Sequence, residues 1–477
     1  LGQVSMTGVS SDSAQAGRLD VELSNSRIET LGDGAWGVFA QSVSGGGGFF
    51  GDSSSVLVLP TSPIVEGNLS LSNEIAQPRT EVRLIQSGVF VSGKNAHGVV
   101  VQHLMNSGGA WQDGDQLRLD TAGSDGQQVY GSNNNVVVAL SGSTVIASGE
   151  GGQGVLINAD RGASAPSVSV SLRDGSGIFV RDGVALQIVG GNSSNNVNYQ
   201  NTIYVGEQSN VTQQSWFNDA LAGNGTPRDN TDAATNRWAI YAAGNRTSVQ
   251  NYGTVYGNVY LEGGEMFNRE NAQFLGSKWV GSNNSLHNYG QIFVAGDVHV
   301  GTLEVVGSLK HYVGGVIHVD VSSGDDNVPH DVITVTGLAR IEGEIVPQTQ
   351  SLMPVDHGFI TAGTLESAGV MRDSLVFDWE SRAVDNTLVA TPTADFTPNG
   401  YSLTGNQTAM ANYLQAGWDR AEGKKAEIFA YAHEFDQDSF VGYGNALEEM
   451  SGRVLNNQLI EMQTRFATGL SESLSCP

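Results

Sequence analysis

The chain has almost no cysteine. Cys476 is the only one in 477 residues, so no internal disulfide braces the fold. Stability must come from backbone ladders and packed side chains instead. Charge is scarce too: charged residues make up 15%, against about 25% in ordinary soluble domains. Within that small set 23 basic residues face 49 acidic ones, for a formal charge of −26. No basic stripe exists, which excludes the electrostatic footprint of a nucleic-acid binder and disfavours an anionic membrane surface as partner. The acidity itself reads as solubility. There is no run of about 18 apolar residues, so no membrane-spanning helix is expected. Leu1 opens within Gly- and Ser-rich sequence rather than a basic and then apolar leader, which puts any export signal upstream of it.

What is plentiful is glycine, 62 residues, together with Ser, Asn, Val and Thr. That mixture suits many short strands joined by tight turns. The 39% hydrophobic content supplies enough apolar area to argue against disorder. The length allows either several compact domains or one extended array.

Repeats decide between these. A small or polar turn, a glycine and a short apolar run ending in a polar residue recur. The copies are Ala35-Trp36-Gly37-Val38-Phe39-Ala40-Gln41, Ala96-His97-Gly98-Val99-Val100-Val101-Gln102 and, more weakly, Gly152-Gln153-Gly154-Val155-Leu156-Ile157-Asn158. The glycines at 37, 98 and 154 are separated by 61 and 56 residues, which fits three coils of roughly 20 residues each. A second family begins with Asn251-Tyr252-Gly253 and Asn288-Tyr289-Gly290, with Phe267-Asn268 between them and His311-Tyr312 after. Its steps are 17, 20 and 23 residues. Rungs of a solenoid vary in this way because turns take insertions while strands keep register. Asn at equivalent turns can then form a hydrogen-bonded ladder; the alternative is that Asn-Tyr-Gly is ordinary turn chemistry.

Strict alternation at Ser167-Val168-Ser169-Val170-Ser171-Leu172 and Ile317-His318-Val319-Asp320-Val321 marks strands with one buried and one wet face. Sustained helical periodicity is missing from this part. Residues 190–237 are Asn-, Gln- and Asp-rich, and read as a loop excursion whose aromatics, Tyr199, Tyr204, Trp216 and Phe217, make a candidate contact surface. A sandwich or barrel is the rival architecture, but Asn-Gly and Asp-Gly hairpin turns are few.

From Gly314 the pattern changes. Asp331-Val332-Ile333-Thr334-Val335-Thr336-Gly337-Leu338-Ala339-Arg340-Ile341-Glu342-Gly343-Glu344-Ile345 alternates, with Gly337 and Gly343 bending the chain. This stretch resembles the autochaperone-type module that caps the β-helix of bacterial autotransporter (type V secretion) passengers. Leu403-Thr404-Gly405-Asn406-Gln407-Thr408-Ala409-Met410-Ala411 is similar to the short helix after that module. Asn445-Ala446-Leu447-Glu448-Glu449-Met450-Ser451-Gly452 is similar to the signature that precedes the translocating barrel, with Met450 where Leu is usual. The resemblance implies that Asp331, Ile333, Val335, Gly337, Ala339, Ile341 and Gly343 serve folding of the passenger. It further implies that Leu447, Met450, Ser451 and Gly452 belong to a pre-barrel linker. The chain stops at Pro477 without the amphipathic strands of an outer-membrane barrel, so the resemblance implies a passenger fragment. Leu455, Leu459, Met462, Phe466 and Leu470 form one helical stripe, which either packs on a globular partner or, as the resemblance implies, sits in the barrel pore.

Motifs of chemistry are weak. Gly51-Asp52-Ser53 has no Gly-x-Ser-x-Gly elbow around it. His433-Glu434 lacks the second His of a zinc-protease helix and reads as a solvated pair. Gly324-Asp325-Asp326 with Asp331 lacks a calcium repeat. His97 and His103 lack a third zinc ligand, and no Gly-Lys-Ser/Thr follows the glycine runs. No catalytic residue, cofactor or metal site is expected.

The reading is an all-β chain: a right-handed parallel β-helix (solenoid) over 1–310, an autochaperone-like β cap over 311–395, a helical connector over 396–443 and a linker helix over 444–477, together a short α-helical tail. Roughly 15 coils at about 4.8 Å would give a rod of about 70 Å. By resemblance it is expected at the bacterial cell surface or outer membrane, or released, as an adhesin or aggregation scaffold. Its expected partners are its own C-terminal outer-membrane β-barrel and a host-cell or cell–cell receptor. A stalk presenting an enzyme upstream of Leu1 is the alternative.

Overall fold

A computed structural model describes residues 18–43, 49–50, 79–104, 110–113, 116–119, 135–162, 166–192, 201–213, 238–244, 246–296, 300–322, 330–367 and 369–451. The chain is a parallel β-helix with three faces, visited in turn by each coil. The first face begins with Leu19–Ser24, Arg79–Ile85, Asn135–Ser141 and Ser167–Arg173. The second is a ladder of eleven strands from Arg27–Thr30 to Val370–Met371. The third begins with Trp36–Val43, His97–Leu104, Gln153–Gly162 and Leu186–Asn192. From Lys278–Asn288 onward a single bent strand serves the third face and then the first, as in Thr302–His311, Val332–Ile341 and His357–Ser367. Described pairings from one coil to the next are parallel, for example Val136↔Val168 and Val82↔Val138.

Alternation explains the closure. Asn135–Ser141 buries Val136, Val138 and Leu140 while its other residues face outward, and Ser167–Arg173 does the same with Val168, Val170 and Leu172. A one-residue slip would expose each of these columns, so the apolar interior fixes the register. Each inward Val or Ile contributes about 1.5–3 kcal/mol by leaving water.

The structure changes several expectations. Gly37, Gly98 and Gly154 are neighbours on adjacent coils, because Trp36 pairs with His97 and His97 with Gln153. Separations of 61 and 56 residues are therefore single coils carrying long insertions. A Cβ at Gly37 would lie 2.7 Å from Gly98 O, and one at Gly98 2.6 Å from Gly154 O, so close stacking demands glycine here. Insertions also lower the coil number: eleven described coils span about 48 Å rather than about 70 Å. Parallel stacking also runs past residue 310, through Val316–Ser322, Val332–Ile341 and Glu344–Ser351, to Val370–Met371.

Within 190–237, Asn201–Val205 and Asn210–Gln213 are regular rungs paired on both sides, so that stretch is not one continuous excursion. Asn201, Ile203 and Val205 point inward and are buried, which the polar composition around them obscured. A different lateral element stands out instead. Phe49–Phe50 pairs in parallel with Ala110–Asp113, which pairs antiparallel with Gln116–Leu119. This small side sheet leaves from the third face at two adjacent coils. Val100, Gln102 and Leu104 on the outward side of that face are fully buried.

At the C-terminal end the strand direction reverses. Phe377–Val384 and Thr387–Ala394 form an antiparallel hairpin, and the latter strand adds antiparallel to His357–Ser367. Three α-helices follow among the described residues: α1 (Gly405–Asp419), α2 (Ala426–His433) and α3 (Phe440–Met450). Thr404 caps α1 in a capping box with Gln407. The helices are fastened to the last coils through Leu352 N to Ala426 O, Leu375 N to Phe435 O and Tyr443 Oη to Phe396 O. Phe359, Phe377, Phe396 and Phe429 are fully buried and pack edge-on or tilted with Trp379 and Trp418.

Candidate functional site: polar ladders, aromatic stacks and the closed end

The Asn repeats meet as a ladder. Asn251 Nδ2 donates to Asn268 Oδ1 at 2.8 Å and Asn268 Nδ2 to Asn288 Oδ1 at 2.8 Å, all three residues being fully buried. Each amide also donates to a backbone carbonyl of the next turn: Asn251 to Gln273 O at 2.9 Å and Asn268 to Gln291 O at 2.8 Å. Asn288 Nδ2 stands 3.0 Å from His311 Nδ1, which completes the series. A serine ladder, which the sequence reading missed, serves the earlier coils at the same corner. Ser26 N donates to Ser87 Oγ at 3.1 Å, Ser87 N to Ser143 Oγ at 3.0 Å and Ser143 N to Ser176 Oγ at 3.1 Å. A left-handed residue precedes the serine in each of several coils, as at Asn25, Gln86, Gly142 and Gln208. That signal was present in the sequence, but irregular spacing hid it.

Residues 331–343 sit inside this stack. Ile333, Ala339 and Ile341 are fully buried and Val335 nearly so. Asp331 is buried and accepts hydrogen bonds from Gly301 N at 2.6 Å and Asp320 N at 2.7 Å, fastening three consecutive passes of the chain. Burial, and next the neighbouring Asp320, push its carboxyl well above the usual carboxylate range. A Cβ on Gly337 would meet Gly307 O at 2.8 Å, and one on Gly343 would meet His311 Nε2 at 2.5 Å.

Leu447 is fully buried in α3, Met450 packs half-buried beside it, and the Ser451 N–H caps the helix on Leu447 O at 3.0 Å. Gly452 and the stripe from Leu455 to Leu470 lie outside the described residues. So do Gly51-Asp52-Ser53, Gly324-Asp325-Asp326, Tyr199, Trp216 and Phe217. Tyr204 lies on the outward side of Asn201–Val205, half-buried.

Around Tyr204 the outer surface carries stacked rings. Tyr204 packs on Tyr252 at 5.3 Å with Arg173 over its other side. Further along lie Phe267 on His287 at 4.4 Å, Tyr289 on Tyr312 at 4.3 Å and Phe293 on His318 at 4.2 Å, while Arg269 stands 4.7 Å from the Phe267 ring. On the third face Tyr241 stacks on Tyr260 at 4.8 Å, with Trp238 at their side. Rings recur because strands repeat at about 4.8 Å, close to the stacking distance of aromatic groups. Sequence reasoning singled out only Tyr204 of these as a contact residue, and placed Tyr252, Phe267, Tyr289 and Tyr312 in the repeat without their stacking.

His433 is not a solvated residue. It is buried at the end of α2, where its Nε2 accepts the Trp379 indole N–H at 3.0 Å, and burial lowers its pKa to about 4. His97 and His357 are lowered to about 4 by burial as well. His103 is buried, with its Nδ1 2.8 Å from Thr80 Oγ1. Two shallow clefts of about 440 and 430 Å³ lie against the helices, one along Tyr431, Phe435 and Val441, the other between Asp320, Arg372 and His433. Among the described residues no group of three or more His, Cys, Asp or Glu is placed to hold a metal ion.

No family model matches the chain, and no curated protein matches it. Among solved structures it is similar to the Haemophilus influenzae Hap adhesin, with a TM-score of 0.24 and 10% identity. The overlap covers 66% of this chain and 32% of that one, so the chain spans about a third of the length of its structural neighbour. Likeness this loose carries no argument about function.

Proposed function

We propose that the chain is a displayed or released passenger of a type V secretion system, acting as an adhesin or aggregation scaffold without catalysis of its own. The observation that carries this reading is the closed C-terminal end. A parallel coil leaves its edge hydrogen bonds open until a neighbour stacks on it, and here the hairpin Phe377–Val384/Thr387–Ala394 and the three helices bury the last layer. An end sealed in this way is a template on which further coils can add one at a time. Asp331 and the buried column Ile333, Val335, Ala339 and Ile341 stiffen that template, in keeping with the folding role that the autotransporter resemblance implies for them. The outward ring pairs at Tyr204/Tyr252, Tyr241/Tyr260 and Tyr289/Tyr312 present rigid, half-buried aromatic surface that suits contact with a receptor or a neighbouring cell.

The test uses the complete gene expressed in its bacterium. Deleting residues 314–346 is expected to abolish surface display, read by antibody labelling of intact cells; normal display overturns the translocation role. Cells displaying Tyr241→Ala/Tyr260→Ala are expected to aggregate or adhere less than wild type at equal display, and unchanged adhesion counts against the aromatic surface.

A further inference from the structure

The polar ladder has a direction. Asn251 donates to Asn268, Asn268 to Asn288, and each amide is locked in that orientation by its second N–H on a backbone carbonyl. Asn288 Oδ1 is thus an acceptor, and its Nδ2 must face forward as a donor toward His311 Nδ1 at 3.0 Å and Val316 O at 3.4 Å. His311 Nδ1 therefore carries no proton. Its Nε2 carries one instead and donates to Glu344 O at 3.0 Å, in the coil beyond. The series is bounded by apolar rungs, Val205 before Asn251 and Ile341 after His311. Of its four polar rungs, only His311 can titrate.

The ring also sits in a slot built for it. A Cβ at Gly315 would lie 3.0 Å from the imidazole and one at Gly343 would lie 2.5 Å from Nε2, so both flanks are glycine and the ring has nowhere to rotate. Charged groups on the surrounding strands stay outside. Lys310 lies on the outward side of His311's own strand, Arg340 pairs with Glu342, and Arg372 pairs with Glu344. His287, next to Asn288, bonds outward to Tyr312 Oη and lies near Glu265. His318, on the following strand, stacks on Phe293. Among the described residues no carboxylate stands against His311 to balance the charge it would gain.

We propose that His311 is an acid-sensitive joint between the Asn ladder and the C-terminal coils, opened when its Nδ1 gains a proton. A proton there turns the acceptor into a donor pointing at the Asn288 amide, and two donors meet where one bond stood. Flipping Asn288 does not relieve the clash, because its N–H groups would then confront the Asn268 amide and abandon Val316 O. The mismatch would have to travel through every rung of the ladder. The adjacent coils carrying Gln291–Val294 and Val316–Ser322 separate from each other instead, loosening the hold of the closed end on the stack. Burial, which already lowers the His311 pKa to about 4, resists this change until the medium is acidic.

The test is hydrogen exchange by mass spectrometry on the whole chain, wild type and His311→Asn, corrected for the intrinsic pH dependence of exchange. Asn continues the ladder with an acceptor that does not titrate. Between neutral pH and about pH 4.5, protection of peptides spanning residues 286–296 and 311–318 is expected to fall on the order of 50-fold in wild type. In His311→Asn those peptides should hold their protection, while peptides around His357 and His433 respond to acid in both proteins. Equal loss in both proteins, or no loss in wild type, overturns the proposal. Should His311→Asn fail to fold, ¹⁵N NMR of the wild-type imidazole decides. A neutral ring protonated at Nε2 supports the joint, and protonation at Nδ1 at neutral pH contradicts it.

Discussion

Asn268 receives a hydrogen bond from Asn251 and gives one to Asn288, so replacing it orphans a buried donor and a buried acceptor together. Asn268→Ala is expected to cost about 2–3 kcal/mol in urea unfolding. Adding Asn251→Ala should cost less than the sum of the single changes, because the orphaned donor goes with it. Strictly additive losses would show that the rungs are not bonded to each other. Gly343→Ala tests crowding at the same scale: its Cβ would press on His311 Nε2 and on Tyr312 O, each at 2.5 Å. A loss of about 1–3 kcal/mol is expected by the same assay. The ladder itself was legible in the sequence, since steps of 17 and 20 residues kept Asn at one corner and a further 23 brought His311 to it. What His433 does was not legible. Its partner, the Trp379 indole, is 54 residues away, and no local pattern links a helix end to a hairpin strand.

Alternating strands announced themselves, and Ser167–Arg173 or Val316–Ser322 could be placed from period alone. Coils carrying insertions could not be counted, because a coil of 61 residues and three coils of about 20 give the same glycine spacing. Only pairing across the stack, Gly98 lying over Gly154, separates the two. The side sheet was invisible for a related reason: Phe49–Phe50 and Ala110–Asp113 are short, and each finds its partner only through the other insertion. Elements also differ in how they should respond to damage. Ile333 lies in the stacked interior, whereas Thr334 beside it faces outward. Ile333→Ala should cost about 2–5 kcal/mol, and Thr334→Ala within about 0.5 kcal/mol, by urea midpoint. Similar losses at both positions would mean that the strand faces are assigned wrongly.

Taken whole, the molecule buries histidines that must be neutral to fit. His97, His311, His357 and His433 are each lowered from the ordinary 6.5 to about 4, chiefly by burial. Below 6.5 the unfolded chain takes up protons that the folded chain refuses. The stability these residues provide is therefore complete above that pH and drains away as pH falls toward about 4. Roughly 3 kcal/mol per site is the upper scale of the effect. Asp331 acts in the opposite sense, because its raised pKa favours the folded state at low pH and is a cost near neutrality. With four histidines against it, the urea midpoint is expected to be flat above about pH 6.5 and to drop between about pH 6 and pH 4. A midpoint that rises with acid would contradict the burial of neutral imidazoles.

Strands far apart in sequence lie side by side, parallel and in register. Ala139 and Ser171 are register partners on adjacent coils, both facing outward, whereas Leu172 points into the core. In a Cys476→Ser background, Ala139→Cys/Ser171→Cys should close to a disulfide under mild oxidation, since neighbouring strands place the Cα atoms about 5 Å apart. Ala139→Cys/Leu172→Cys should not. Efficient closure of the first pair alone is the predicted result. Failure of that pair, or equal closure of both, would contradict the stacked-coil fold and everything derived from it.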